Sequence, residues 1–341
     1  MKVKSLQMKK ALNAVLFVLL LNVAGMTKAF AQTQVATLQH GDDISVFYGT
    51  NAFVEAHTAA ADGDIITLSS GTFVPTDVTK AITLRGAGCA IDTVANTNPT
   101  IFGGNITLSS TNETIPLTVE GILFTNKVLC AHLHNPKFNK CSFTEINNYA
   151  NASDQTYNLQ ITNCIINKFY ATNFAYTTIL NSVLWSASGI TNNYTVVLYN
   201  SIMNNGSFSG LSGYNSILIR KSNVTMQSSC SFFNCIGIKL TTEGLNPFGS
   251  AYVSNCSTYT SYANVFESFN GNFSFDSDFT LKDNIAASVL GTDGTQVGIY
   301  GGLLPFNNRP SYMVLKHCNV ANKSTIDGKL SVDIEVIYDG E

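Results

Sequence analysis

Apolar residues recur along the chain in short bursts broken by a single Asn, not at helical spacing. The unit reads Ile161-Thr162-Asn163-Cys164-Ile165-Ile166, then Ile179-Leu180-Asn181-Ser182-Val183-Leu184, then Leu198-Tyr199-Asn200-Ser201-Ile202-Met203. It continues through Tyr214-Asn215-Ser216-Ile217-Leu218, Phe232-Phe233-Asn234-Cys235-Ile236 and Val253-Ser254-Asn255-Cys256. Upstream, Phe138-Asn139-Lys140-Cys141-Ser142-Phe143 and Val119-Glu120-Gly121-Ile122-Leu123-Phe124 fit the same frame. From Ile122 to Cys256 the repeat averages about 19 residues, near the short end for solenoids.

The column Gly121, Lys140, Asn163, Asn181, Asn200, Asn215, Asn234 and Asn255 carries the structural prediction. Gly and Asn accept a left-handed backbone at little cost. A bend there, between two short strands, turns apolar side chains on both sides inward. Stacked bends also bring the Asn side chains about 4.8 Å apart, so an amide ladder through Asn163, Asn181, Asn200, Asn215, Asn234 and Asn255 is expected.

With these motifs the chain resembles the pectate-lyase-like right-handed parallel β-helix superfamily, whose coils commonly turn on an asparagine ladder beside inward Ser, Cys and aliphatic stacks. Gly63-Asp64-Ile65-Ile66-Thr67-Leu68 with Gly71-Thr72-Phe73 looks like a first coil of that type. Ahead of it, Ala52, Phe53, Ala56, Ala59 and Ala60 share one helical face, as a short helix capping the stack would require. A leucine-rich repeat has a similar period, but it needs a recurrent helical or 3₁₀ back side, and these units are rich in β-branched residues, Asn and Ser. The predicted class is therefore all-β: a single-domain right-handed parallel β-helix over 32–304, with a β tail over 305–341. In that tail Leu330, Val332, Ile334, Val336 and Tyr338 alternate and Asp327-Gly328 offers a turn. Its apolar face is expected to cover the C-terminal end or flank of the stack.

The N-terminus changes the picture of location. Lys2, Lys4, Lys9 and Lys10 precede an apolar run from Ala11 to Val23, and Ala29-Phe30-Ala31 supplies a small-x-small site before Gln32. That pattern predicts a signal peptide over 1–31 and an exported chain, secreted, periplasmic or at the cell surface. The run is short of the ~20 residues that span a bilayer, so no transmembrane segment is expected in the mature chain. Removing 1–31 leaves 14 Lys and Arg against 22 acids, a net charge of −8, which disfavours nucleic acid as a partner.

Candidate chemistry is sparse. Between Gly121 and Gly271 the acids are Glu145, Asp154, Glu243 and Glu267, without an Asp-Asp pair. Glycosidases of the usual kind need two carboxylates across the scissile bond, and calcium-assisted lyases a cluster of oxygen ligands. The polygalacturonase-like motifs are absent, and Ile219-Arg220-Lys221 is only a superficial echo. Arg220 and Lys239 should lie on adjacent rungs; with Glu243 and Glu267 they form the only catalytic candidates, for a lyase or hydrolase reading. Cys130, His132 and His134 alternate on one strand, but without a fourth ligand no metal is expected there, and no cofactor. Cys141, Cys164, Cys235 and Cys256 share one column with Ser182, Ser201 and Ser216. Rung spacing is long for an unstrained disulfide, so buried thiols are expected. For binding, Lys168, Phe169, Tyr170, Phe174 and Tyr176 lie in one connection, and Tyr259, Tyr262, Phe266 and Phe269 in another. Exposed rings there would stack on sugar faces, while part of them would pack against the coil. The expected role is non-catalytic binding of a polysaccharide or cell-surface partner along the flank, with a structural or adhesive scaffold as the further alternative.

Overall fold

A computed structural model describes residues 34–92, 97–148, 154–204, 206–220, 226–240 and 246–309, and the backbone of Met313–Val320 and Val332–Tyr338. The predicted signal peptide, Glu243, Leu330 and the Asp327-Gly328 turn lie outside the described residues.

The chain is a parallel β-helix of about nine turns. Each turn contributes one strand to each of two sheets. The first sheet runs in parallel from Ile65–Leu68 to Tyr252–Ser254, and the second from Gly71–Phe73 to Ser257–Tyr259. At the N-terminal end an antiparallel hairpin, Val35–His40 with Asp43–Tyr48, joins the first sheet. The helix α1 (Ala52–Ala59) closes the barrel mouth there, burying Ala52, Phe53 and Ala56. Phe53 begins an internal ring column: its centroid lies 4.8 Å from Phe102, which lies 5.5 Å from Phe124, which lies 4.9 Å from Phe143. At the opposite end Tyr252–Ser254 and Ser257–Tyr259 are the last strands of their sheets among the described residues. Val253, an inward residue of the last coil, is 40% exposed.

The bend column holds at every rung. Gly121, Lys140, Asn163, Asn181, Asn200, Asn215, Asn234 and Asn255 all have φ between 44° and 65°. The hydrogen bonding around it differs from the expected amide ladder. The ladder is formed one residue later, by the Cys/Ser column. The backbone N–H of Cys141 donates to Cys164 Sγ (3.4 Å), that of Cys164 to Ser182 Oγ (3.0 Å), that of Ser182 to Ser201 Oγ (3.2 Å) and that of Ser201 to Ser216 Oγ (3.1 Å). The series continues from Ser216 to Cys235 Sγ and from Cys235 to Cys256 Sγ, both at 3.4 Å. Each side chain in turn donates to the carbonyl two residues before it, as Ser182 Oγ does to Leu180 O at 2.7 Å. A left-handed bend takes the next N–H out of the strand pairing, and a small side chain with one donor and one acceptor restores the bond.

Three of the Asn amides instead meet the C-terminal part of the chain. Asn234 Nδ2 donates to Leu290 O (3.1 Å), Asn215 exchanges bonds with Thr292, and Asn181 Nδ2 donates to Ile299 O (2.9 Å) and Gly301 O (2.7 Å). Residues 290–301 therefore strap the bend column, running back from the late coils to the middle ones. Gly301 is required by this contact, because a Cβ there would lie 1.7 Å from Gln296 O and 2.9 Å from Asn200 Nδ2. An amide–amide bond does occur at another corner, where Asn158 Nδ2 donates to Asn135 Oδ1 at 3.0 Å and both residues have positive φ.

Before the strap, residues 260–289, which include the helix α2 (Asp283–Ser288), cover the outer face of the second sheet. Outward Ile165, Val183, Ile202, Ile217 and Ile236 pack there with Val265, Phe266, Phe269, Phe279, Leu281 and Ile285 in a second apolar cluster outside the barrel. The chain then reaches the early coils, where Arg309 Nε lies 4.0 Å from Asp92. Beyond it Met313–Val320 and Val332–Tyr338 pair antiparallel, the two strands expected of the tail.

Candidate functional site

Covering the second sheet leaves the first sheet's outer face as the long accessible flank. Each of its strands points a middle residue inward and the two flanking residues outward. Register pairing aligns the outward residues into two columns. One runs through Thr83, Thr118, Lys137, Gln160 and Thr178 toward Ser212, Ser231 and Tyr252; the other runs through Arg85, Glu120, Asn139 and Thr162 toward Tyr199, Tyr214 and Phe233.

The early half of this face holds a groove of about 710 Å³ with a polar floor and a largely apolar wall. Its floor is Thr118, Glu120, Lys137, Asn139, Gln160 and Thr162, and its wall is Leu303, Leu304, Pro305 and Asn307, delivered by the returning chain. Leu303 stands 96% exposed at the rim. Glu120 is held by Arg85 (Nε to Oε2, 3.7 Å) and by Asn139 Nδ2 (3.4 Å). It is the one acid among the described residues lining the groove, so the two-carboxylate geometry of glycoside hydrolysis is not assembled by those residues.

The late half is aromatic. Tyr199 stacks on Tyr214 with centroids 5.0 Å apart and planes 13° apart, Tyr214 on Phe233 at 5.1 Å and 6°, and Phe233 meets Tyr252 at 5.7 Å and 50°. Inside the column neighbouring rings cover each other's faces, leaving edges and Tyr hydroxyls toward solvent. Tyr252, the terminal ring, is 61% exposed and tilted out of the stack. The face thus offers hydroxyl and amide groups at rung spacing in its first half and ring edges in its second. The signal was in the repeat itself: Tyr199, Tyr214 and Phe233 each immediately precede the bend Asn.

The residues singled out from sequence fall elsewhere. Phe169 and Phe174 are buried in the barrel, their rings 5.4 Å apart, and so leave the set of sugar-stacking rings. Tyr170 is half-buried, while Tyr176 is 68% exposed at a left-handed corner. Lys168 is exposed and pairs in register with Glu145, whose carboxylate takes Lys127 Nζ at 3.0 Å. Tyr259 and Tyr262 pack against the second cluster with Phe266 and Phe269. Burial pushes the Tyr262 phenol up to about 12. Amphipathic rings in a long connection read equally as surface or as cover; the apolar outer face of the second sheet decided for cover.

Arg220 and Lys239 are indeed cross-strand neighbours. Arg220 is only 6% exposed, however, with Nη1 donating to Pro247 O at 3.3 Å, and burial draws its pKa down. It is not presented to solvent as a base. Glu267 is exposed and lines a separate hollow of about 300 Å³ with Tyr262, Ser268 and Asn270. Cys130 faces the core, where burial drives its thiol pKa up. His132 is tied to Asp154 at 2.8 Å and His134 stacks on Tyr157 at 5.1 Å, so the three do not converge. Among the described residues no group of three His, Cys, Asp or Glu could hold a metal ion, and no helix is long and apolar enough to cross a membrane.

Fold and face together define a parallel β-helix protein with one covered and one accessible flank. No family model, curated protein or solved structure matches the chain.

Proposed function

We propose that the protein is an exported, non-catalytic parallel β-helix of the pectate-lyase-like type that binds a glycan along the outer face of its first sheet. The observation that carries this reading is that the floor of the 710 Å³ groove and the Tyr199–Tyr214–Phe233 ring column lie on one rung register, with Tyr252 beside Phe233 at the late end. A polymer of similar units laid along the solenoid would meet similar donor and acceptor groups about every 4.8 Å. The Lys-rich start, apolar run and Ala-Phe-Ala site of residues 1–31 support export. The sparse acids of the groove support binding over hydrolysis.

A glycan array, followed by an assay for reducing ends and unsaturated products on each polymer that binds, tests the proposal. Binding without products, weakened in Gln160→Ala and Tyr252→Ala, is the expected result. Product formation would replace it with a lyase or hydrolase, and no binding to any glycan would replace it with a structural scaffold.

A further inference from the structure

The Cys/Ser ladder ends in two cysteines on the last two coils. Register pairing of Ile236 with Ser257 sets Cys235 directly beside Cys256, and the Cys235 N–H donates to Cys256 Sγ at 3.4 Å. The same arrangement occurs earlier, where Ser142 pairs with Ile165 and the Cys141 N–H donates to Cys164 Sγ, also at 3.4 Å. All four thiols are free. The surroundings separate the two pairs. Cys141 and Cys164 are fully buried between coils on both sides, whereas Cys256 lies on the last described coil and is half-buried beside the exposed Val253.

We propose that Cys235 and Cys256 form a redox-active thiol pair that reacts with low-molecular-weight disulfides, Cys256 as the attacking sulfur and Cys235 as the resolving one. Hydrogen bonding from Cys235, whose backbone N–H reaches Cys256 Sγ, draws the Cys256 pKa down to about 7, while burial holds Cys235 up. The Cys256 thiolate attacks one sulfur of the small disulfide, whose S–S bond breaks and releases one thiolate. Cys235 then loses its proton to solvent and attacks the Cys256 sulfur, forming the Cys235–Cys256 bond and expelling the second thiolate. Two protein thiols are oxidised to one disulfide, and one small disulfide is reduced to two thiols. Adjacent rungs, about 4.8 Å apart, fall inside the Cα range of a disulfide and only slightly outside its Cβ range. Because Tyr252–Ser254 and Ser257–Tyr259 end their sheets among the described residues, the terminal coil can make that small approach.

The test treats the full chain with glutathione disulfide, quenches with an alkylating agent and maps each cysteine by peptide mass. A Cys235–Cys256 bridge is expected, with Cys141 and Cys164 still reduced, and native alkylation of Cys256 should be at least about tenfold faster than that of Cys164. Cys235→Ser should accumulate a stable glutathione adduct at Cys256, and Cys256→Ser should leave Cys235 unreacted. Both variants retain the ladder, because Ser182, Ser201 and Ser216 fill the same column in the native chain. Equal labelling of Cys256 and Cys164, bridging of both pairs alike, or a Cys256 adduct that persists in the wild type would overturn the proposal.

Discussion

Ser182 Oγ accepts the backbone N–H of Cys164 at 3.0 Å and donates to Leu180 O at 2.7 Å, so one hydroxyl ties two coils together. Both Cys164 and Ser182 are fully buried, and an N–H left without a partner there carries its full desolvation cost. Ser182→Ala is expected to destabilise the fold by about 1–3 kcal/mol. Cys164→Ser, which keeps donor and acceptor, should cost clearly less. Urea unfolding of the two variants beside wild type checks the order, and equal losses would remove the ladder as the reason for Ser and Cys in this column.

The bend itself is the second target. Asn200 has φ 46°, a conformation in which a β-branched side chain is strained. Asn200→Val should lower stability by about 1–3 kcal/mol, while Asn200→Gly should stay closer to wild type. Thermal melts of both decide whether backbone strain sets the cost.

Aromatic substitutions should divide by face. Phe169→Ala removes a ring from the barrel core and is expected to cost about 3–5 kcal/mol of stability. Tyr252→Ala, on the exposed end of the ring column, should leave the melt nearly unchanged and weaken glycan binding by about 1 kcal/mol, roughly fivefold in Kd. Binding of a neutral glycan should change little between low and high salt, since ring contacts and neutral hydrogen bonds are not screened. Titrations at two ionic strengths, beside melting curves, test both parts.

Acid should loosen the N-terminal cap. His57 on α1 is buried and takes the Thr79 N–H on Nε2 at 3.2 Å. Burial, then the nearby Lys80 charge, lower its pKa below 6.5. The unfolded chain therefore binds this proton more readily than the folded one. The stabilising contribution is complete above about pH 6.5 and is lost as pH falls from there through the folded pKa. Melting temperature should fall from pH 7.5 to pH 5, and His57→Gln should flatten that slope. An identical slope in the variant would assign the acid sensitivity to other groups.

The coil and its bends were legible in the sequence because they rest on local chemistry. Only a few residue types take a left-handed φ cheaply, and the Asn column announces where the chain does so. Lys140 could be placed at a bend only because its neighbours in the repeat are Asn and Gly; its φ of 52° follows the column, not its own preference. Cys141, Cys164 and Cys235 were likewise readable as buried thiols. The column's hydrogen-bond role is set only by the tertiary structure, since it depends on how far one coil's N–H lies from the next coil's sulfur or oxygen.

The accessible face was decided by tertiary structure. Ile165, Val183, Ile202, Ile217 and Ile236 follow the inward Cys/Ser position and precede another inward apolar residue, a run that marks a sheet buried on both sides. The repeat could indicate that the second sheet is covered, but not by what. Residues 260–301 have no repeat of their own. Their route back along the stack is fixed by contacts such as Asn181 to Gly301, 120 residues apart in sequence. That return buries Phe266 and Phe269, raises Leu303 as a groove wall over Thr118 and Gln160, and leaves Tyr252 in the open. The sequence by itself determined the coil, through side chains that choose their own backbone angles. Only the fold decided which flank meets solvent, because that choice belongs to segments far apart in the chain competing to cover the same apolar surface.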